Sequence, residues 1–160
     1  MLIRPEQTSD EAAINALVTA AFGQRQEADL VDALRASGDL SISLVAEDQG
    51  SLVGYVAFSR LKSPEEALAM APVAVAPDRQ RSGIGSAVIR MGLDRARELG
   101  CRTVFVLGEP TYYARFGFST EDGSRFPSPY AGPYFMALTL SDALQTPAEV
   151  IYADAFSQLR

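Results

Sequence analysis

Residues 67–107 have the pattern of a strand, a glycine-containing turn, a helix and a second strand. The apolar run from Ala67 to Ala76 predicts a buried strand, and the polar positions of residues 84–99 fall on one face of a helix. The run from Arg102 to Leu107 predicts the next strand. Two strands of one sheet that are joined by a helix run parallel, with a right-handed crossover. The fold must therefore contain a parallel strand pair with a helix packed across it.

The rest of the chain contributes antiparallel strands and two more helices. Alternating apolar residues on both sides of Asp48-Gln49-Gly50 predict a β-hairpin of Leu40–Ala46 and Leu52–Leu61. Further strands are predicted at 1–4 and 134–140, and helices at 9–21, where Thr8 and Glu11 have capping-box spacing, and at 27–35. At 160 residues the chain has the length of one domain, 1–160. We expect an α/β fold with a mixed central sheet flanked by helices.

Two late stretches lack this periodicity. Residues 121–133 contain three prolines and predict a loop long enough to have a function. Residues 141–160 form a C-terminal tail, and we expect it to dock on the domain through apolar side chains. These are Val150, Ile151, Tyr152 and Phe156. Tyr130, Tyr134 and Arg125, in or beside the loop, are candidates for lining a substrate pocket.

The chain contains no histidine and one cysteine, Cys101. The lack of histidine excludes Ser–His–Asp triads, Cys–His pairs and the common zinc, copper and haem ligand sets, so we expect no metal. A single cysteine excludes an internal disulfide. No partner base for Cys101 is evident, and we interpret it as a small apolar filler.

The net charge is −6, with 20 acidic and 14 basic residues. Such a chain has no electrostatic footprint for nucleic acid, whereas the field mildly favours a cationic substrate such as an amine. The longest apolar run, from Ala67 to Ala76, falls well short of the ~20 residues of a membrane span. Charged residues stand where a secretory signal would be apolar. We expect a cytoplasmic protein that binds neither nucleic acid nor membrane.

The turn before the predicted helix, Gln80-Arg81-Ser82-Gly83-Ile84-Gly85, has the composition of an anion-binding loop. Backbone N–H groups and the positive end of the helix dipole converge at such a turn, and Arg79 and Arg81 add positive charge. A dinucleotide-binding fingerprint would need a glycine where Val88 stands, and a P-loop would need Gly-Lys-Ser/Thr. Neither pattern fits. In the alternative interpretation, the glycines only ease the turn into a tightly packed helix.

This loop is similar to the Gln/Arg-x-x-Gly-x-Gly/Ala loop of the GNAT superfamily of N-acetyltransferases, which holds the pyrophosphate of acetyl-CoA. The resemblance implies acetyl-CoA as the acyl donor. The cofactor-binding residues that it implies are Val73, Ala74, Val75, Gln80, Arg81, Ser82, Gly83, Ile84, Gly85 and Ser86.

Pro72 interrupts the apolar strand that precedes the loop. A proline inside a strand removes a ladder donor and typically marks a bulge or a splayed edge. Residues 73–75 should then offer unpaired N–H and C=O groups. In the GNAT superfamily such an opening between two parallel strands grips the pantetheine arm, and the resemblance implies that amides near Val73 and Ala74 stabilise the thioester oxyanion.

The segment Tyr112-Tyr113-Ala114-Arg115-Phe116-Gly117-Phe118 follows the second parallel strand. It resembles the superfamily element Tyr-x-x-x-Gly-Phe, in which the tyrosine, here Tyr113, reaches the CoA sulfur and acts as general acid. Alternatively, the two tyrosines are core aromatics. Several GNAT members have a glutamate base on the strand before the loop, where this chain has Ala69. Glu66, just upstream beside Glu65, is the candidate base, and its alternative is a solvated turn.

Residues 107–118 and 150–156 are similar to the YhbS-like group of N-acetyltransferases, and the resemblance extends from Ile3 to Phe156. It implies direct transfer of the acetyl group to an amine, on a small molecule or a protein, without a covalent enzyme intermediate. The alternative is a non-catalytic sensor or interaction module that binds acyl-CoA. The resemblance does not identify the acceptor. Because family members often dimerise, a homodimer is left open.

Overall fold

The computed structural model describes residues 1–141 and 146–159. The strands are β1 (Leu2–Pro5), β2 (Leu40–Asp48), β3 (Ser51–Arg60), β4 (Ala67–Val75), β5 (Thr103–Leu107) and β6 (Phe135–Thr139). The α-helices are α1 (Glu11–Phe22), α2 (Gln26–Ser37), α3 (Ile84–Glu98) and two single turns, α4 (Pro110–Tyr113) and α5 (Thr120–Gly123). Short 3-10 segments lie at Thr8–Asp10, Pro77–Arg79, Ala114–Phe116 and Asp154–Leu159. Within the described ranges, no helix combines the length and apolarity needed to cross a bilayer.

The six strands form one sheet in the order β1-β2-β3-β4-β5-β6. Every neighbouring pair is antiparallel except β4 and β5, which are parallel and joined through α3. This arrangement confirms the predicted mixed α/β sheet with its parallel pair. Two local predictions need correction. The loop expected at 121–133 begins inside α5, and the capping box lies one residue early, where Gln7 N–H donates to the Asp10 carboxylate at 2.6 Å.

The sheet is covered on both faces. Helix α3 packs on one face, against Val56, Phe58 and their neighbours. On the other face α1 and α2 cover β2 to β4, while Phe126 and Val150 cover β5 and β6. Within the described part of the C-terminal tail, Val150, Tyr152 and Phe156 dock as predicted, whereas the Ile151 side chain is 42% exposed. Residues 142–145 and 160 of the predicted tail lie outside the described residues. Phe156 is buried beside Leu30 of α2, and the backbone of Ile151 pairs with that of Ser63.

Helix α3 packs closely on the sheet at two glycines, which leave room for larger side chains opposite them. A Cβ at Gly92 would come within 2.3 Å of the Phe58 ring, and one at Gly54 within 2.5 Å of Ile84. Such separations are far below normal contact distance, so a side chain at either position would force its neighbour to move. The close packing fixes the N-terminus of α3 beside the C-terminal end of β4.

The strand β4 bulges at Pro72 and then separates from β5. Between the pairs Val56–Val73 and Phe58–Met70 the register shifts by one, so Ala71 and Pro72 together oppose a single residue of β3. Pairing with β5 is limited to Ala67–Ala69. The bulge and the splayed parallel pair are both confirmed, and the C-terminal half of β4 has an open edge toward β5.

Candidate functional site

A cleft opens where the C-terminal end of β4 meets the loop before α3 and the helix α4. We call it the loop cleft; its volume is about 610 Å³. It is lined by nine of the ten residues predicted to bind a cofactor: Val73, Ala74, Val75, Gln80, Arg81, Gly83, Ile84, Gly85 and Ser86. The tenth, Ser82, lies in the same loop, but its hydroxyl donates to the Arg79 carbonyl. One folded segment thus brings the predicted set together.

The loop enters α3 through two residues with left-handed backbone. Arg81 has φ 65°, and Gly83, the N-cap of α3, has φ 88°. Glycine adopts this conformation without the steric cost that a side chain incurs. The first N–H groups of a helix have no partner within the helix, and together with the helix dipole they attract an anion. The start of α3 therefore gives the loop cleft a local environment that favours a negatively charged group.

Side-chain charge supports the same conclusion. Arg81 and Arg115 line the loop cleft, and none of the described residues that line it is acidic, although the chain carries net charge −6. Arg115 is held in place because its Nε donates to the Tyr112 carbonyl at 3.0 Å and its guanidinium lies 4.5 Å from the Tyr112 ring centre. Our sequence analysis did not single out Arg115, although it stands within the aromatic segment 112–118.

Arg79, expected beside the same loop, points elsewhere. Its guanidinium donates to the Asp48 carboxylate at 2.8 Å in the turn between β2 and β3. This hydrogen bond lowers the pKa of Asp48 below its usual value. Arg79 therefore stabilises the fold beside the cleft, and the expectation that it adds charge to the loop is wrong.

The open edge of β4 presents alternate peptide groups. Ala76 N–H bonds to the Val53 carbonyl of β3 at 2.9 Å. Because peptide groups alternate in direction along a strand, Ala74 also faces β3, whereas Val73 and Val75 face the open edge. The Gln80 amide, 3.5 Å from the Val75 carbonyl, agrees with this direction. Two backbone amides were expected near an oxyanion. The Val73 N–H faces the open edge of β4, whereas the Ala74 N–H faces β3 within the sheet.

Tyr113 stands at the inner end of the loop cleft. Burial, with a smaller contribution from Tyr112, raises the pKa of its phenol to about 12. Its ring packs edge-on against Tyr112, with centres 5.0 Å apart, and lies where Gly108 leaves space, since a Cβ there would come within 2.5 Å of the ring. Tyr113 is thus a fixed and protonated phenol that both contacts the core and lines the cleft.

A second cleft lies in the gap between β4 and β5, on the face covered by α1 and α2. We call it the seam cleft; its volume is about 600 Å³. Residues 69–73 and 105–107 form its floor. Its walls are Phe22, Gln26, Glu27 and Leu30 on one side and Tyr130, Tyr152 and Phe156 on the other. Phe22, Val73 and Tyr113 line both clefts, so the two clefts meet at these residues.

Only one of the three pocket candidates from the late loop reaches the seam cleft. Tyr130 lines it. The Tyr134 side chain is 54% exposed outside both clefts, and the Arg125 guanidinium lies over the Phe126 ring. Sequence reasoning also missed Glu27 and Phe22, because nothing in their local sequence says that α1 and α2 border the gap after β4.

Glu66 does not lie at either cleft. It precedes β4, and its carboxylate pairs with Arg102 Nε at 2.7 Å. The seven residues to Val73 span roughly 20 Å of extended chain, which is too far for proton transfer. Cys101 is buried at that same end of the sheet, and burial raises the pKa of its thiol to about 11. The structure thus supports the interpretation of Cys101 as a filler and separates Glu66 from the site.

Comparison with known proteins decides the family. Residues 11–118 match the acetyltransferase (GNAT) family model. The chain belongs to the GNAT acetyltransferase family. Its GNAT relatives include YjhQ, an uncharacterized N-acetyltransferase of Escherichia coli, 41% identical over 78% of this chain and 74% of YjhQ.

Two solved GNAT structures cover nearly the whole chain. The YhbS N-acetyltransferase of Escherichia coli, solved in complex with CoA, has a TM-score of 0.89 at 34% identity and covers 98% of this chain and 91% of its own. A GNAT acetyltransferase of Brucella melitensis, solved with acetyl-CoA, has a TM-score of 0.83 at 36% identity and covers 97% of both chains. The likeness to YhbS confirms the YhbS-like group indicated by the sequence.

Proposed function

We propose that this GNAT protein is an N-acetyltransferase that moves the acetyl group of acetyl-CoA directly to an amine. The observation that carries the proposal is the meeting of the two clefts at Val73 and Tyr113. One cleft is built for an anionic donor and the other is free for an acceptor. The relatives solved with CoA and acetyl-CoA support acetyl-CoA as the donor. An acyl-CoA donor and an unpaired cysteine fit a cytoplasmic location.

The pyrophosphate of acetyl-CoA would lie on the N-terminus of α3. The N–H groups from Gly83 onward and the guanidinium groups of Arg81 and Arg115 would bind its oxygens. The pantetheine arm would then run along the open edge of β4, hydrogen-bonded to the peptide groups of Val75 and Val73. This path brings the thioester to the junction of the two clefts.

At the junction, the neutral amine attacks the thioester carbonyl, and the N–C bond forms as the carbonyl oxygen becomes negative. We assign the stabilisation of this oxyanion to the Val73 N–H, because it faces the open edge of β4. As the C–S bond breaks, Tyr113 donates its phenolic proton to the departing sulfur. The proton that the nitrogen loses at this step restores the phenol. Glu66 has no part in this scheme because it lies at the other end of β4.

Thermal unfolding with and without acetyl-CoA tests donor binding. A ligand at about 100 times its Kd stabilises the folded state by ~2.7 kcal/mol, a shift of roughly 5–10 °C for a domain of this size. We expect this shift in the wild type and its loss in Gly83→Trp, which puts an indole in the loop. Gly38→Trp is the matched control, because Gly38 is also exposed and left-handed, with φ 80°, at the far end of α2.

A shift that persists in Gly83→Trp would remove the loop from the donor site. If Gly38→Trp loses the shift as well, backbone strain rather than blockage would explain the result. Release of free CoA thiol in the presence of amines then separates the two functions. Binding without thiol release from a broad amine panel would favour a non-catalytic acyl-CoA sensor.

A further inference from the structure

The walls of the seam cleft limit the amines that it can hold. We propose that the acceptor is a primary amine on an aromatic or apolar body without an acidic group, and that Glu27 binds its ammonium and takes its proton. This inference rests on the proposed function and names the substrate class and a second reacting side chain.

Aromatic rings form a large part of the lining of this cleft. Six rings line it: Phe22, Phe105, Tyr113, Tyr130, Tyr152 and Phe156. Three of them form a continuous wall, since Tyr152 packs edge-on against Tyr130 and Phe156 with centres 5.1 and 5.0 Å apart. A volume near 600 Å³ suits a small organic molecule. Flat or apolar groups would gain contact area here, and a cation would gain the faces of the rings.

Glu27 is the one charged side chain among the described residues that line the seam cleft. No lysine or arginine from that described set lines it. A substrate carboxylate or phosphate would therefore lose its hydration without gaining an ionic partner. An ammonium would gain a carboxylate, but only one, so a substrate with several ammonium groups is also a poor fit.

The Glu27 carboxylate is held in position at the start of α2. The side-chain amide of Gln24 lies 3.0 and 3.2 Å from its two oxygens. Behind it, Leu30 and Leu34 are buried, and Arg35 forms hydrogen bonds to both oxygens of Glu6. Glu27 is therefore a carboxylate on a fixed element, in the same cleft as Tyr113.

With Glu27 as the base, every proton in the reaction has a donor and an acceptor. The ammonium gives one proton to Glu27, and its nitrogen attacks the thioester as described above. The second nitrogen proton restores the Tyr113 phenol after that phenol has protonated the CoA sulfur. Glu27 returns its proton to water, because its side chain remains partly exposed. Each turnover yields one amide, one thiol and one proton in solution.

The test compares amines by kcat/KM for thiol release. We expect kcat/KM for 2-phenylethylamine to exceed that for L-phenylalanine by at least about tenfold. The two amines differ by one carboxylate, and an unpaired buried group costs about this factor. We expect 2-phenylethylamine also to exceed propylamine, which lacks the ring, and spermidine. A peptide with a free N-terminal alanine represents a protein acceptor.

Glu27→Gln should lower kcat/KM for 2-phenylethylamine at least about tenfold at pH 7. The defect should shrink toward pH 10, where the amine itself loses its proton, as an alkylammonium has a pKa near 10. Glu27→Asp should restore part of the rate. Asp29→Asn is the control, because Asp29 is exposed on α2 outside the cleft and its loss removes the same charge.

Two results would overturn the inference while leaving the proposed function intact. One is preference for L-phenylalanine, spermidine or the peptide. The other is a Glu27→Gln pH profile parallel to that of the wild type. Thiol release from none of these amines, despite bound acetyl-CoA, would instead contradict the proposed function itself.

Discussion

At the residue scale, the environment of Tyr113 determines what its hydroxyl can do. Burial raises the pKa of the phenol to about 12, so the group stays protonated below that pH and can donate throughout the neutral range. The same shift weakens it as an acid, because the most effective general acid has a pKa near the working pH. Tyr113 should therefore contribute less than a well-matched acid, through a hydrogen bond that becomes a proton transfer only as the thiolate forms.

Tyr113→Phe should lower kcat by about 10²-fold, the lower end of the usual contribution of acid catalysis. The Kd for acetyl-CoA should change little, because the ring remains in its place against Gly108. In the wild type, kcat should show no falling limb from this group below about pH 11, since the raised pKa keeps the phenol protonated there. Steady-state kinetics and calorimetry provide the two readouts.

Tyr134→Phe is the matched control, because Tyr134 is exposed outside both clefts. It should leave kcat unchanged. An unaltered kcat in Tyr113→Phe would remove Tyr113 from the acid role.

At the element scale, the position of α3 determines where the proposed donor site lies. The helix carries the loop amides at its first turn. Its distance from β3 is set where a large side chain packs against a glycine. Gly92 lies over the Phe58 ring, which is fully buried. Close-packed interiors transmit such a constraint without much relaxation. A change in the middle of α3 should therefore be felt at its N-terminus.

Gly92→Ala should destabilise the protein by up to about 2 kcal/mol. Alanine gains about 1 kcal/mol in helix propensity over glycine, but overpacking a core costs about 1–3 kcal/mol, and here the new Cβ meets a ring that cannot swing into solvent. Urea unfolding measures the difference. Phe58→Leu removes the obstructing ring atoms, so the double variant should be more stable than the sum of the single changes predicts. A single Gly92→Ala variant more stable than the wild type would contradict this packing.

The strands and long helices were predictable because their apolar periodicity is local. The short helices α4 and α5 were not, since four residues show no period and depend on tertiary packing. The loop cleft was predictable because most of it is one continuous segment. Glu66 was chosen for its carboxylate and its place near the strand, but it precedes a nine-residue strand whose far end forms the site. The seam cleft brings together residues as distant in sequence as Glu27 and Tyr152, which no local pattern reveals.

At the scale of the whole molecule, the two clefts meet at Phe22, Val73 and Tyr113. In the proposed reaction, the donor would enter beside α3 and the acceptor would enter between α2 and the C-terminal tail. Neither ligand needs to leave before the other binds. Cys101, a residue that could form an acetyl-enzyme, is buried with its pKa raised to about 11 at the opposite end of β4.

The protein should therefore follow sequential kinetics. Initial rates at varied acetyl-CoA and amine should give intersecting reciprocal plots, because both substrates are bound together when the bond forms. Mass spectrometry of the protein after incubation with acetyl-CoA alone should show no added acetyl group. Parallel plots, together with a stable acetylated protein, would indicate a ping-pong mechanism and contradict direct transfer.

The two clefts are built from different parts of the sequence, and this affects how substrate selectivity can change among related proteins. Most of the donor side comes from one continuous stretch, 73–86, whereas the acceptor side is assembled from the first helix pair, the late loop and the C-terminal tail. The GNAT family match ends at residue 118, before Tyr130, Tyr152 and Phe156. If the seam cleft holds the acceptor as proposed, mutations in the late loop and the tail would change which amine is accepted while coenzyme recognition is inherited unchanged. Exchange of those two segments between relatives is therefore a direct route to altered selectivity.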